Sequence, residues 1–467
     1  MTLPQEFESY TKALFGPDLY ATFKDGLALE PSVSIRLNPL KCNTKSVNVK
    51  AKQSPVEWCD EGIRLGERPN FTADPLFHAG VYYVQEASSM FVAHALRTFV
   101  SSPVVMLDLC AAPGGKSTAA RSALPEGSLL VANEPLKARA NVLSENIQKF
   151  GHPDVIVTNN YPRDFRRSGI EFDVVLADVP CSGEGMFRKD EGAIADWSTK
   201  KVTECAALQR DIITDIWSCL RPGGLLIYST CTFNSAENEQ NIKWIANELG
   251  GDILTIPTLP EWNISPALQG EASCCRFIPG KTKGEGLFMA AIRKHGEPDN
   301  RPRKARKGKG NARPEKSRCP LKQLPLADAS SFTTLQDADR IFAIRSQWAD
   351  IASAALANLR VLNAGVTIGT MRGKALIPDQ SLALSTQISP DAFPRIDVSS
   401  TQALAYLRRE AITLPSDTPQ GHVLICYNGH ALGFVKNLGN RSNNLYPAEW
   451  RIKSTHITEA ENVVVEE

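Results

Sequence analysis

Between residues 100 and 295, short apolar runs alternate with longer segments whose apolar residues recur every three or four positions. The runs Val104–Leu109, Leu129–Glu134, Val155–Asn159, Phe172–Val179, Gly224–Thr230 and Leu287–Arg293 are rich in Val, Ile, Leu and Phe. Apolar character that is continuous, not alternating, predicts strands covered on both faces. Between two of them, Pro135–Phe150 places Leu136, Ala140, Leu143, Ile147 and Phe150 on one stripe of a helix. Pro135 suits the first helical position and Gly151 the C-terminal cap. Lys200–Leu220 and Asn238–Leu249 read as helices on similar grounds. The alternation predicts an α/β fold with a mostly parallel, doubly wound sheet. Ligands of such sheets bind at the carboxyl ends of the strands, so the residues just after each strand are the candidates for chemistry.

The pattern is weaker on either side. Residues 326–467 suggest a helix over Asp337–Leu359 and short strands at His422–Cys426 and Ala431–Val435. The clearest break lies between Gly296 and Pro320. Residues 301–318 hold nine Lys/Arg and one acid, Glu315, with Pro and Gly interleaved and no apolar period, which predicts a flexible linker. The expected division is an N-terminal segment (1–95), a core domain (96–295), the basic linker (296–325), an intermediate domain (326–395) and a last domain (396–467).

Charge changes this picture in one respect. The whole chain is nearly neutral, at +1, so the linker's +8 leaves −7 for everything else. Positive charge is concentrated in a tether, which reads either as a solvated spacer or as a contact for phosphates, and any nucleic-acid surface must be local. At 467 residues, 42% hydrophobic and 22% charged, the chain is not a disordered one. No uncharged apolar run approaches the ~18 residues of a membrane span, and no export signal is legible, so a cytoplasmic protein is expected. The eleven cysteines show no Cys-x-x-Cys and no zinc-finger spacing. Neither a disulfide framework nor a metal is expected, and the individual thiols need separate explanations.

The first strand runs into Asp108-Leu109-Cys110-Ala111-Ala112-Pro113-Gly114-Gly115-Lys116-Ser117. Glycines at a strand-to-helix turn let the backbone approach a ligand closely. The Gly-Lys-Ser ending suggests a phosphate-binding loop, but that motif requires glycine where this chain has Cys110. Glu134, closing the second strand, is placed to accept hydrogen bonds from ribose hydroxyls, and spacing alone does not separate a dinucleotide from S-adenosylmethionine. Asn160 and Asp178, after the third strand and ending the fourth, are further candidates. Two cysteines then follow strand ends. Cys181 stands in Asp178-Val179-Pro180-Cys181-Ser182-Gly183-Glu184-Gly185, and Cys231 in Tyr228-Ser229-Thr230-Cys231-Thr232. Free cysteine is often simply a small buried residue, as Cys205 and Cys219 read on their helix. Two at equivalent ends of neighbouring strands point instead to a shared pocket.

These three motifs, in this order, resemble the Sun/Nop-type RNA (cytosine-5) methyltransferases, and in particular their bacterial ribosomal RNA branch. The resemblance runs from Arg36–Lys41 and Gln85–Ser89 through Phe288, with a looser match at Asn437–Trp450. It implies a Rossmann-like methyltransferase core, S-adenosylmethionine as cofactor, an N-terminal segment that helps bind RNA, and a C-terminal PUA-like module. By resemblance, Cys110, Ala111, Ala112, Pro113, Gly114, Gly115 and Lys116 form the cofactor loop. Glu134 binds the ribose, and Asp178 sits beside methyl donor and base. Asn160 occupies the position of a third cofactor-binding acid, where it brings an uncharged carbonyl. Cys231 matches the nucleophile, and Cys181 the cysteine that helps release product. The expected substrate is small-subunit ribosomal RNA, free or in the subunit, with the enzyme a monomer. Transfer RNA as substrate, or a ribosome-assembly factor acting mainly by binding, are the competing readings. Arg188-Lys189 is a candidate phosphate contact, with a solvated pair as the alternative.

Overall fold

Five parallel strands form the middle of the central sheet in this computed structural model, which describes residues 2–297 and 323–466 apart from Thr455 and Thr458. The expected linker core, residues 301–318, lies outside the described residues. The sheet's nine strands are β1 (Val105–Asp108), β2 (Leu129–Asn133), β3 (Val155–Thr158), β4 (Phe172–Asp178), β5 (Leu220–Thr230), β6 (Gly251–Leu254), β7 (Cys275–Phe277), β8 (Leu287–Lys294) and β9 (Val361–Ala364). Their order is β6-β8-β5-β4-β1-β2-β3-β9, with β7 also paired to β8. The strands from β5 to β3 pair in parallel, whereas β8 and β9 are antiparallel additions on either flank. Strand order reverses between β1 and β4, which opens a crevice at their carboxyl ends.

The helices α1 (Gly115–Ala123), α2 (Lys137–Phe150), α3 (Pro162–Ser168), α4 (Thr199–Trp217) and α5 (Glu239–Leu249) join these strands. They cover both faces, so β1 and β2 have no exposed residue and two separate apolar clusters fill the two sides. Gly151, at φ 82°, caps α2 in the left-handed conformation that side chains resist. The helix begins two residues later than its apolar stripe predicts. The reason lies in Asn159, whose side chain donates to the carbonyls of Glu134 and Pro135 and draws them out of helical register.

The flanking regions brace the crevice. A kinked helix, Gln5–Ala28, lays Phe7 and Phe23 against Phe187 and Phe233, with ring centroids 5.0 and 4.9 Å apart. Phe187 and Phe233 follow Cys181 and Cys231 in the chain, so this helix backs both cysteine loops. A four-stranded antiparallel sheet (Val33–Leu37, Lys52–Val56, Cys59–Leu65, Tyr82–Val84) completes the N-terminal part. Beyond residue 323 come two further four-stranded sheets, and the last strand, Val464–Glu466, returns to pair with Val47–Val49. The single helix expected over Asp337–Leu359 is wrong for its first half. Phe332–Asp337 and Arg340–Arg345 form a hairpin turning at Ala338, φ 54°, and only Ala349–Asn358 (α6) is helical. The run Ile341-Phe342-Ala343-Ile344 is buried in that hairpin, where β-branched and aromatic residues are favoured. No helix of the described residues is long and apolar enough to cross a membrane.

Candidate active site

The loop after β1 is shaped from behind. Ala111 N–H donates to the Asn133 carbonyl, Arg139 donates to the Ala112 carbonyl, and Asn146 to that of Pro113. Gly114, at φ 114°, turns the chain into α1. Cys110 lies within this loop, and burial pushes its thiol far above the ordinary range. Burial also pushes the Asp108 carboxyl up to about 7, although the Ser117 hydroxyl donates to it at 2.6 Å.

Glu134 follows β2 and is 1% exposed. One carboxylate oxygen, Oε1, accepts the Leu136 N–H at 3.0 Å. The other, Oε2, is sealed from solvent without a hydrogen-bond partner, although Arg139 lies 3.4 Å away. A buried carboxylate oxygen without a donor calls for one, and vicinal ribose hydroxyls are suitable donors. The residues present therefore fit an adenosine-type methyl donor.

Register brings the reactive groups together. Asp178 of β4 pairs with Ser229 of β5, so the loops that follow leave the sheet side by side. Cys181 Sγ lies 3.3 Å from Cys231 Sγ. Either sulfur could donate, and of the two it is Cys231 that the Lys116 ammonium acts on. The Cys181 hydrogen bond, helped by Lys116, holds Cys231 below the ordinary thiol range against burial and Asp178. That same hydrogen bond, with burial, pushes Cys181 well above it. Lys116 reaches from α1 to Asp178 Oδ2 at 2.9 Å, and Ser229 donates to Oδ1 at 2.9 Å. Burial opposes the Lys116 charge, yet Asp178 and Cys231 outweigh it and raise its pKa.

The clamp that fixes the two loops was not legible as a site in the sequence. Glu184 accepts from the backbone N–H groups of Phe233 (2.6 Å) and Asn234 (3.0 Å), and from the Trp197 indole (3.0 Å). Asn234 donates to Glu237 at 2.7 Å, and Glu237 in turn accepts the Ser182 N–H at 3.0 Å. Gly185 donates to the Cys231 carbonyl at 2.7 Å, and a β-carbon there would stand 2.6 Å from that same oxygen. Only glycine allows that approach. The available signal was a carboxylate between two glycines in the Cys181 motif. Arg188 does not face solvent: it pairs with Glu285 at 2.7 Å and donates to the Gly26 carbonyl. Lys189, less buried, shares Glu285 at 3.5 Å. The Asn160 side-chain amide is hydrogen-bonded to the backbone of Arg360, as described below. No group of three or more His, Cys, Asp or Glu among the described residues could hold a metal ion.

Fold and site together define an S-adenosylmethionine-dependent methyltransferase. Residues 101–293 match the family model described as 16S rRNA methyltransferase RsmB/F, residues 3–87 the N-terminal domain of 16S rRNA methyltransferase RsmF, and residues 393–452 the methyltransferase RsmF PUA domain. Ribosomal RNA small subunit methyltransferase F of Aliivibrio fischeri (strain MJ11) is 33% identical over 444 residues, covering 89% of this chain and 90% of its own. The protein of the same name from Vibrio atlanticus (strain LGP32) is 30% identical, covering 96% and 97%. The chain belongs to the ribosomal RNA small subunit methyltransferase F (RsmF) family. Among solved structures, a methyltransferase homolog from Pyrococcus horikoshii is 26% identical with a TM-score of 0.52, covering 62% of this chain and 95% of that one.

Proposed function

We propose that this protein methylates carbon 5 of a cytidine in small-subunit ribosomal RNA, through a covalent bond between Cys231 and carbon 6 of the base. The observation that carries the proposal is the sulfur pair: Cys231 has the Cys181 thiol at 3.3 Å and an ammonium group acting on it. Carbon 5 of cytosine is a poor nucleophile until a thiolate adds to carbon 6 and makes the ring an enamine. S-adenosylmethionine, when bound, supplies the electrophilic methyl group. The cofactor loop 110–116 and Glu134 are the residues we assign to hold it.

Each of the chain's groups then has a task. The Cys231 thiolate attacks carbon 6. Asp178 is assigned to ring nitrogen 3, where negative charge develops on addition. The Lys116 ammonium bonded to it at 2.9 Å is assigned as the source of the proton that Asp178 passes to that nitrogen. Once Cys231 is bonded to carbon, it no longer accepts the Cys181 hydrogen bond. The first reason for the high pKa of Cys181 disappears with it. Cys181 is assigned to give its proton to water entering the crevice and, as thiolate, to take the proton that leaves carbon 5. The electron pair of that carbon–hydrogen bond forms the double bond between carbons 5 and 6, and the bond from carbon 6 to sulfur breaks to return the Cys231 thiolate. The proton on nitrogen 3 goes back to Asp178. The target base must be unstacked to reach the crevice, which costs a few kcal/mol. The N-terminal part and the region matching a PUA domain are assigned to hold the surrounding RNA.

Bisulfite sequencing of small-subunit ribosomal RNA from cells with and without the gene tests this reading. One cytidine should lose its protection when the gene is absent and regain it with the wild-type protein but not with Cys231→Ala. Protection lost in transfer RNA instead would move the chemistry to that substrate.

A further inference from the structure

We propose that Asn160 is a docking residue: its side-chain amide extends the β3–β9 pairing past the strand end, making the C-terminal region a structural part of the cofactor site. The inference rests on the reading that the methyl donor binds at the carboxyl ends of β1 to β3. Both functional atoms of the Asn160 amide meet the backbone of Arg360. Oδ1 accepts the Arg360 N–H at 3.0 Å, and Nδ2 donates to the Arg360 carbonyl at 3.2 Å. The Asn159 N–H donates to the same carbonyl at 2.9 Å. A side-chain amide carries one donor face and one acceptor face, as a peptide does, and here it stands in for the next residue of an edge strand.

Arg360 thereby joins the cofactor end by two short routes. Along one, Asn133 donates to the Asn160 carbonyl at 2.9 Å and to the Leu109 carbonyl, at the start of the cofactor loop, at 3.0 Å. Along the other, Asn159 donates to the Glu134 carbonyl at 2.7 Å. Immediately beyond, Val361 and Ala364 are buried in the same apolar cluster as β1 and β4. The docked strand and the two cofactor-binding segments therefore share one hydrogen-bond network. Whatever orders one end should tighten the other, and by linkage the effect is reciprocal. An aspartate at 160 keeps the shape but not the donor, and sets a carboxylate oxygen against the Arg360 carbonyl.

Hydrogen exchange of the 359–364 amides and calorimetric titration with S-adenosylmethionine test this on the full chain. In the wild type, cofactor should slow exchange at these amides. Asn160→Asp and Asn160→Ala should each speed it about tenfold without cofactor, weaken cofactor binding by a similar factor and abolish the cofactor-dependent slowing. Glu134→Ala should weaken cofactor binding while leaving exchange in its absence unchanged. Asn160→Asp that binds cofactor at least as tightly as the wild type, with unchanged exchange, would make residue 160 a direct cofactor ligand and overturn the proposal. Unchanged exchange in both Asn160 variants would overturn it as well. Full cofactor affinity in Glu134→Ala would instead refute the placement of the donor, whatever Asn160 does.

Discussion

Cys181 and Cys231 lie 3.3 Å apart at the ends of adjacent parallel strands, and one thiol solvates the sulfur of the other. The proposed order of the two cysteines in the reaction takes Cys231 as the sulfur that accepts the hydrogen bond and attacks. Cys181→Ala should still add to the base and methylate it, then stall with RNA attached as a slower band in denaturing electrophoresis. Cys231→Ala should give no such band, and neither should the double variant. A band from Cys231→Ala alone would reverse the two roles.

The hydrogen bond also sets a pH range. A thiol held below its ordinary range is a thiolate at lower pH, so alkylation of Cys231 should begin at lower pH than for a free thiol. Removing the donor with Cys181→Ala, or the ammonium with Lys116→Met, should move the alkylation profile to higher pH. Mass spectrometry of the Cys231 peptide after iodoacetamide pulses at a series of pH values provides the measurement. Profiles that coincide would remove both groups from thiolate stabilisation.

Glu134→Ala takes away a buried carboxylate oxygen that has no hydrogen-bond donor, the one proposed to accept from the ribose hydroxyls. The dissociation constant for S-adenosylmethionine should rise at least tenfold, by analogy with charged hydrogen bonds worth about 1.5–3 kcal/mol. RNA affinity measured without cofactor should stay within twofold. Parallel loss of both would show that Glu134 supports the fold.

Glu184 tests the loop clamp. Its replacement by Ala leaves two backbone N–H groups and the Trp197 indole without their acceptor in a buried site. The cost should be about 3 kcal/mol or more, seen as a lower urea midpoint. Glu184→Gln keeps the shape and one carbonyl, so it should lose less. Equal stability of wild type and Glu184→Ala would mean that water replaces the carboxylate.

How much of this was legible beforehand depends on the range of the interaction. The parallel sheet could be read because strands and helices buried on known faces leave a local trace: the unbroken apolar run of β1 and the stripe of α2 are each set within a few residues. The turn after β1 and the two neighbouring cysteines could be located for a related reason, because Gly114-Gly115 and the two strand-end thiols concentrate uncommon residue types in short motifs.

Other features have no local trace. β9 joins the core sheet from some two hundred residues away through backbone groups that every residue carries, so no side-chain pattern announces it. Asn160 follows β3 in sequence, and its hydrogen bonds to the Arg360 backbone have no trace there because the two residues lie two hundred positions apart. Arg188-Lys189 reads in the sequence as a phosphate contact or a solvated pair, and the pairing of both with Glu285 comes from a residue about a hundred positions away. The hairpin at Phe332–Arg345 was misread because its apolar residues serve equally well in a helix until the facing strand, Val366–Arg372, is present. By itself the sequence determined which groups stand at the ends of the strands. Tertiary structure decided which of them face one another, because distance in space, set by packing, chooses the partner of each donor and charge.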